Sequence, residues 1–121
     1  TKLKKYSFFK ASAGNQLRDF IYIDDIINLI IKIIISKKEK KGIFNVGMGK
    51  GISIKQILNK IEKIVDGGKV LYGKKKMRKD EPKILLPDIK KVKKFYKWKP
   101  KTKLQIGLKK TIKFYDKTTF S

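Results

Sequence analysis

Arg18 and Arg78 are the side chains of this sequence best suited to hold an anion. The chain contains 33 lysines and arginines, and only these two are arginines. A guanidinium group is a planar fork that binds a phosphate or a carboxylate through two parallel hydrogen bonds, which an ammonium group cannot copy. Two such forks in a lysine-rich chain point to phosphate or carboxylate binding. The alternative is two surface residues that pair locally with Asp19 and Asp80.

Composition excludes several other chemistries. The chain has no histidine and no cysteine, which removes serine–histidine triads, thiolate nucleophiles and nearly all transition-metal sites. We therefore expect no metal site in this chain. The absence of cysteine also agrees with the cytoplasmic location that we expect.

Two spacings imitate a catalytic Tyr-x-x-x-Lys pair, namely Tyr6 with Lys10 and Tyr72 with Lys76. The catalytic version requires both side chains on one face of a helix. Neither segment has a helical pattern, and lysine is frequent enough here to produce the spacing by chance. We interpret both pairs as coincidence.

The segment GMGKGI (Gly47–Ile52) has part of a dinucleotide-binding fingerprint. Ile52 replaces the third glycine of GxGxxG, and no acidic residue follows about twenty positions later at a strand end. The pattern therefore predicts a plain turn between a strand and a helix, and no cofactor-binding residue.

Hydrophobic periodicity predicts an α/β domain that positions these residues. Strands are predicted at residues 6–9, 18–23, 43–46 and 69–72. Helices are predicted at about 26–36, from a Ser53/Gln56 capping box, from Asp88, and from a Thr102/Gln105 capping box. The pair Asp24 and Asp25 is predicted to supply the N-cap of the first helix.

Residues 73–87 are predicted to form an irregular basic loop, which is where binding residues concentrate on a rigid scaffold. No linker or repeat divides the chain, so residues 1–121 are expected to form one domain. The apolar run Ile26–Ile35 contains Asn28 and Lys32 and is about half the length of a membrane span. We expect a buried helix there and no membrane partner.

The formal net charge of +23 has two interpretations. One is a small lysine-rich domain that binds nucleic acid, since cationic proteins attract polyanions. The other is a general enrichment in lysine spread over solvated faces. The lysines are scattered, and arginine, which reads nucleic acid bidentately, is rare, so we favour the second interpretation and expect no specific nucleic-acid partner.

Six segments in order and register resemble the C-terminal third of the extended short-chain dehydrogenases, the NAD-dependent nucleotide-sugar epimerases and dehydratases. They are RDFIYIDDI (18–26), GIFNVGMG (42–49), ISIKQIL (52–58), RKDEP (78–82), DIKKVKKFYKWKP (88–100) and LQIGLKKTI (104–112). The resemblance covers nearly the whole chain. It leans towards bacterial sugar epimerases or CDP-deoxyhexose reductases.

The resemblance implies a role for three residues. Arg18 and Arg78 would bind the diphosphate of a nucleoside-diphosphate sugar, and Glu81 would bind the ribose hydroxyls. The alternative for Glu81 is a solvated loop carboxylate. Asp24 and Asp25 would be structural, as would Asn45 and the glycine turn that follows it.

The resemblance also implies that the Rossmann domain, with its NAD site and catalytic Tyr-x-x-x-Lys, lies upstream of Thr1. Residues 1–121 would then be the C-terminal substrate-binding domain, which alone binds no NAD tightly and catalyses nothing. In the complete enzyme, NAD would transiently oxidise the sugar and return the hydride, and a homodimer is possible. A third alternative is a decayed fragment that folds poorly because its helices lack the face on which they pack.

Overall fold

The computed structural model describes residues 7–37, 42–65 and 67–118, which form five short strands and four helices. In chain order they are β1 (Phe8–Lys10), β2 (Leu17–Asp19), α1 (Ile23–Ile35), β3 (Gly51–Ser53), α2 (Ile54–Val65), β4 (Lys69–Leu71), β5 (Ile84–Leu85), α3 (Lys90–Tyr96) and α4 (Leu104–Thr118). The predicted α/β class is confirmed.

The strands form two small sheets. In one, β1 runs parallel to β4, with Phe9 opposite Val70. In the other, β2 lies between β3 and β5, antiparallel to β3 and parallel to β5. Arg18 is therefore on the central strand, opposite Ile52 on one side and Leu85 on the other.

The strand predictions are partly wrong. The predicted strand at 43–46 is irregular, and β3 begins at Gly51, inside the segment predicted as a turn. Phe44 and Val46 instead pack against the core cluster from an irregular segment. The strand predicted at 18–23 ends at Asp19, and β5 lies within the segment predicted as a loop.

Local capping signals predict helix α2 well. The Ser53 hydroxyl accepts a hydrogen bond from the Gln56 backbone N–H at 3.1 Å, and the Gln56 side chain accepts one from the Ser53 backbone N–H at 3.0 Å. Each side chain satisfies an amide that the first helical turn leaves unpaired. The predicted capping box is therefore confirmed.

Helices α1 and α3 enclose the core. The buried cluster consists of Leu29, Ile89, Val92, Tyr96 and Trp98. The ring of Phe44 meets the rings of Phe95 and Tyr96 edge-on, each at a centroid distance of 5.4 Å. Apolar burial at this cluster joins α1, α3 and the segment before β3.

Asp25 is buried, and its carboxylate binds a distant backbone segment. It accepts hydrogen bonds from the N–H groups of Lys101 and Thr102, both at 3.0 Å, while the Asp25 carbonyl accepts one from the indole N–H of Trp98 at 3.2 Å. Burial, the largest single effect, would raise the pKa of this carboxyl, but the backbone hydrogen bonds from Lys101 and Thr102, a side-chain hydrogen bond from Thr102 and the charge of Lys101 together hold the pKa below its usual value. Asp25 therefore fastens α1 to the entry of α4.

The prediction that Asp24 and Asp25 cap the first helix is wrong in detail, although their structural role holds for Asp25. The helix begins at Ile23, so both aspartates lie in its first turn, and residue Tyr22 precedes it without a side-chain cap. The Asp24 carboxylate is exposed and lies 3.8 Å from the Lys110 ammonium group.

Helix α1 exposes an apolar face, which we call the isoleucine face and which comprises Ile23, Ile27, Ile30, Ile31 and Ile34. These side chains are between 45% and 75% exposed. Their spacing places them on one side of the helix. A contiguous exposed apolar surface of this kind is typical of an interface. None of the helices in the described parts of the chain is long and apolar enough to cross a membrane.

Replacing Asp25 by asparagine is expected to lower the free energy of unfolding at pH 7 by about 1–3 kcal/mol, because one of the two partly buried N–H groups loses its acceptor and the other keeps only an uncharged one. The folded-state pKa lies below the unfolded one, so the stabilisation is complete above the unfolded pKa and is lost as the pH falls through the folded pKa. In Asp25→Asn, the free energy of unfolding should therefore depend less on pH in the acid range, as measured by denaturant unfolding at several pH values.

Asp24→Asn is the matched control, because it removes the neighbouring exposed carboxylate and should cost less than about 0.5 kcal/mol. Equal effects of the two substitutions would contradict the assigned role of Asp25.

Candidate functional site

Strand β2 sends its polar side chains to two opposite faces. Side chains alternate between the two faces of an extended backbone, so Arg18 and Gln16, which immediately precedes β2, point to one side and Asp19 to the other. Both side chains of the first pair reach the same carboxylate, that of Glu81. This strand therefore connects the loop that carries Glu81 to the rest of the domain.

Arg18 and Glu81 form a partly buried ion pair. The Arg18 Nη2 lies 3.0 Å from Glu81 Oε1, and the two side chains are 19% and 27% exposed. The Nη1 of the same guanidinium donates to the Leu17 carbonyl at 2.8 Å. Arg18 therefore pairs with Glu81, not with the adjacent Asp19 that the local alternative required.

Arg78 lies in a different environment. Its side chain is exposed and forms no ion pair with any residue in the described parts of the chain. It borders a cleft of about 660 Å³, which we call the basic cleft, lined by Ser12, Lys75, Lys76, Met77, Arg78, Asp80, Glu81 and Pro82. Its cations are Lys75, Lys76 and Arg78, and one of its two carboxylates is already paired with Arg18. The cleft is therefore suited to an anion.

Backbone hydrogen bonds fix the loop that forms this cleft. The Lys75 N–H donates to the Ala11 carbonyl at 3.1 Å, and the Leu17 N–H donates to the Lys83 carbonyl at 2.8 Å. Between these anchors, the Glu81 N–H donates to the Arg78 carbonyl at 3.3 Å, which closes a turn. The turn brings Arg78 and Glu81 to the same cleft.

The structure thus brings the three predicted residues together only in pairs. Arg18 contacts Glu81, and Glu81 shares the basic cleft with Arg78, but Arg18 lines another cleft. That second cleft has a volume of about 390 Å³ and is lined by Arg18, Asp19, Ile21, Asn45, Val46, Leu85, Leu86 and Pro87. A clamp formed directly by both guanidinium groups is not seen in this arrangement.

Asp19 holds the glycine-rich segment 47–50 against β2. Its carboxylate accepts three backbone hydrogen bonds, from Met48 at 2.7 Å, from Gly49 at 2.6 Å and from Lys50 at 3.1 Å. Consecutive N–H groups that converge in this way form an anion-binding nest. Here the bound anion is a carboxylate of the same chain, so the segment is structural, as the sequence predicted.

The contacts with Asp19 also determine whether this segment could bind a dinucleotide. A pyrophosphate cradle needs its N–H groups available at a helix N-terminus, whereas these three are bound by Asp19 and lead into strand β3. A Cβ atom at Gly47 would lie 2.6 Å from Pro87 Cγ and 2.8 Å from Asp19 Oδ1. Close packing therefore explains the glycine, and the segment does not fit NAD.

The Tyr-x-x-x-Lys spacings do not form a catalytic pair in the described structure. Tyr72 follows β4 in a turn, and its hydroxyl donates to Asn59 Oδ1 at 2.5 Å. Burial, with a smaller contribution from Glu62, raises the pKa of this tyrosine. Tyr6, of the other spacing, lies outside the described residues.

Sequence reasoning missed Gln16 and Asp19. Gln16 is buried and donates from Nε2 to Glu81 Oε1 at 3.2 Å. Its position two residues before Arg18 could have indicated a shared strand face. The pairing of Asp19 with the glycine-rich segment 29 to 31 residues away left no local signal.

Comparison with known proteins identifies relatives over most of the chain. Residues 1–111 match the family model described as GDP-mannose 4,6 dehydratase. The UDP-glucuronate 4-epimerase of Thermodesulfobacterium geofontis is 38% identical over 100 residues, which are 82% of this chain and 30% of that protein. The CDP-abequose synthase of Salmonella typhimurium is 40% identical over 57 residues, 46% of this chain and 19% of that protein.

Among solved structures, the UDP-glucose 4-epimerase of Thermotoga maritima with UDP-glucose superposes with a TM-score of 0.80 and 27% identity, over 94% of this chain and 36% of that one. The UDP-glucuronic acid 4-epimerase of Bacillus cereus, in complex with UDP-glucuronic acid and NAD, gives 0.75 and 29%, over 93% and 35%. The chain therefore spans about a third of the length of these relatives.

Asp19→Asn is expected to lower the free energy of unfolding by about 2 kcal/mol, because an amide is uncharged and presents one oxygen where the carboxylate presents two. Faster hydrogen exchange at Met48, Gly49 and Lys50 should accompany the loss. Asp80→Asn, in the exposed loop, is the control and should change neither quantity. If the hydrogen-exchange rates of the three amides are unchanged in Asp19→Asn, the assigned role of the Asp19 carboxylate in binding them is wrong.

Proposed function

The chain belongs to the GDP-mannose 4,6 dehydratase family of nucleotide-sugar epimerases and dehydratases, and from that membership we propose that it is the segment that holds the nucleotide part of a nucleoside-diphosphate sugar. The ligand would bind at the basic cleft. The reaction itself, an epimerisation or a dehydration, would be performed by residues outside this chain, which alone is not catalytic.

The observation that carries this proposal is the contrast between the two arginines. Arg78 presents an exposed guanidinium without an ion pair in the described structure, beside two lysines. Glu81, on the same turn, is held by Arg18. A guanidinium is matched to a diphosphate, and a fixed carboxylate is matched to a pair of hydroxyl donors. These are the charged and polar parts of a nucleoside diphosphate.

Each predicted residue receives a role on this basis. Arg78 binds the diphosphate, assisted by Lys75 and Lys76, and Glu81 accepts hydrogen bonds from the ribose. Arg18 orients the Glu81 carboxylate through the 3.0 Å contact. For Arg18 to bind a phosphate directly, its pair with Glu81 would have to open.

We propose that NAD binds to a separate, N-terminal domain of the complete enzyme, where it supplies hydride transfer. The glycine-rich segment does not offer a dinucleotide site, since the Asp19 carboxylate binds its N–H groups. The relative from Bacillus cereus was solved with NAD, and the present chain spans 35% of that protein. The residues of this chain then bind and orient the substrate.

The isoleucine face of α1 is the proposed docking surface for that domain. In addition, β1 and β4 form a parallel pair in which Phe8 and Phe9 are 66% and 60% exposed. Parallel strands normally lie inside larger sheets covered on both faces, and an isolated pair is marginal. The part of the relatives that this chain does not span is about two thirds of their length, which is large enough to cover these surfaces.

Further properties of the complete enzyme remain proposals. We propose a cytoplasmic location, no membrane partner and no specific nucleic-acid partner, with a homodimer possible. The lysines are scattered along the sequence and are not gathered in one block, which supports the absence of a specific nucleic-acid partner.

Arg78→Ala is expected to weaken binding of UDP and of inorganic pyrophosphate alike, by roughly tenfold, because it removes a charge-assisted fork from the diphosphate. Isothermal titration calorimetry on the full polypeptide that carries this chain measures both affinities. Lys113→Ala, on an exposed position of α4, is the matched control and should change them by less than about twofold. If both substitutions weaken binding equally, attraction by the overall charge would replace the proposed site.

The substitutions Ile30→Glu and Ile34→Glu together test the docking surface. They are expected to reduce the yield of folded full polypeptide, because they place two charges in an apolar interface. The same pair should make the 121-residue chain less prone to associate on gel filtration. Asn28→Glu on an exposed polar position of α1 is the control. A full polypeptide that folds normally with both glutamates would overturn the proposal.

A further inference from the structure

Glu81 is held through only one of its two carboxylate oxygens. Oε1 accepts hydrogen bonds from Arg18 Nη2 at 3.0 Å and from Gln16 Nε2 at 3.2 Å. No hydrogen bond from the described residues is seen at Oε2. Since Glu81 lines the basic cleft, a carboxylate fixed in this way can offer its second oxygen to a ligand.

Gln16 has a position determined independently of this contact. The backbone carbonyl of Gln16 accepts a hydrogen bond from the backbone N–H of Ile54, at the start of α2, at 3.2 Å. The next residue, Leu17, donates to Lys83, two residues beyond Glu81, at 2.8 Å. The side chain therefore starts from a backbone that is tied both to α2 and to the loop of the cleft.

The burial of Gln16 has an energetic cost that its packing does not explain. The residue is 7% exposed, and its Oε1 is buried without a hydrogen-bond partner among the described residues. An apolar side chain of similar size would avoid that desolvation. What an apolar side chain could not supply is the N–H that Gln16 gives to Glu81.

We infer that Gln16 is a positioning residue that, together with Arg18, fixes the Glu81 carboxylate so that its second oxygen meets the ribose of a bound nucleotide. This inference rests on the proposed function and adds to it a residue that does not itself contact the ligand. Arg18 stabilises the carboxylate by its positive charge. Gln16 donates a second hydrogen bond to the same oxygen, and two donors on one oxygen restrict rotation of the carboxylate.

The test compares three probes by titration calorimetry on the full polypeptide: UDP, 2′,3′-dideoxyuridine diphosphate and inorganic pyrophosphate. The unsubstituted protein should bind UDP roughly tenfold more tightly than the dideoxy compound, the size expected for hydrogen bonds to a charged group. In Gln16→Leu this ratio should fall by a factor of about three or more, while pyrophosphate affinity stays within about twofold. Gln105→Leu, on an exposed position of α4, is the matched control for both quantities.

A double substitution separates positioning from a merely structural role. In a Glu81→Ala background, Gln16→Leu should cause no further loss of the UDP-to-dideoxy ratio, because its effect passes through Glu81. If Gln16→Leu fails to fold, Gln16→Met, which keeps the length of the side chain, takes its place in both comparisons.

The outcomes distinguish this inference from the proposed function. If neither UDP nor pyrophosphate binds the unsubstituted protein, the proposed function fails and the inference with it. If UDP binds but shows no preference over the dideoxy compound, the proposed ribose contact of Glu81 is overturned together with the inference on Gln16, while diphosphate binding by Arg78 stands. If Gln16→Leu keeps the full preference, only the inference on Gln16 is overturned. The same holds if Gln16→Leu lowers the ratio further in the Glu81→Ala background.

Discussion

The three hydrogen bonds from Met48, Gly49 and Lys50 to Asp19 are the interaction on which the geometry of the site depends. Asp19 adjoins Arg18 on the central strand, so whatever fixes one side chain fixes the backbone of the other. A three-residue strand has few ladder hydrogen bonds and little apolar area of its own. The carboxylate compensates for this by binding a loop on the face opposite to Arg18.

A second carboxylate that binds backbone N–H groups is that of Asp25, which accepts hydrogen bonds from two residues before α4. In both cases, a short acidic side chain at the end of a strand or in the first turn of a helix satisfies backbone amides of a distant loop. The domain thus joins short elements with carboxylates as well as with its core. The chain has only 10 acidic residues, and within its described parts five of them accept hydrogen bonds from other residues, namely Asp19, Asp25, Glu62, Glu81 and Asp88.

Local signals in the sequence predicted the parts of the fold that local physics decides. The capping box at Ser53 is an example, because both partners lie three residues apart. The first helix was predicted with the correct type, but its start was wrong, because Asp25 bonds to a segment 76 residues away. The position of β3 depends on its pairing with β2 and not on its own glycine-containing residues. Arg18 and Glu81 could be proposed from their types and from the resemblance, whereas their contact across 63 residues could not.

The bond between Asp25 and Thr102 has a consequence for synthesis of the chain on the ribosome. The two residues are 77 positions apart, which corresponds to roughly 4 to 15 s of translation. Helix α1 is complete long before Trp98 and Thr102 exist to anchor it. During that interval Leu29, which the core later buries, is available to any hydrophobic surface, including that of a molecular chaperone. The order of synthesis therefore leaves α1 without its tertiary partners throughout that interval.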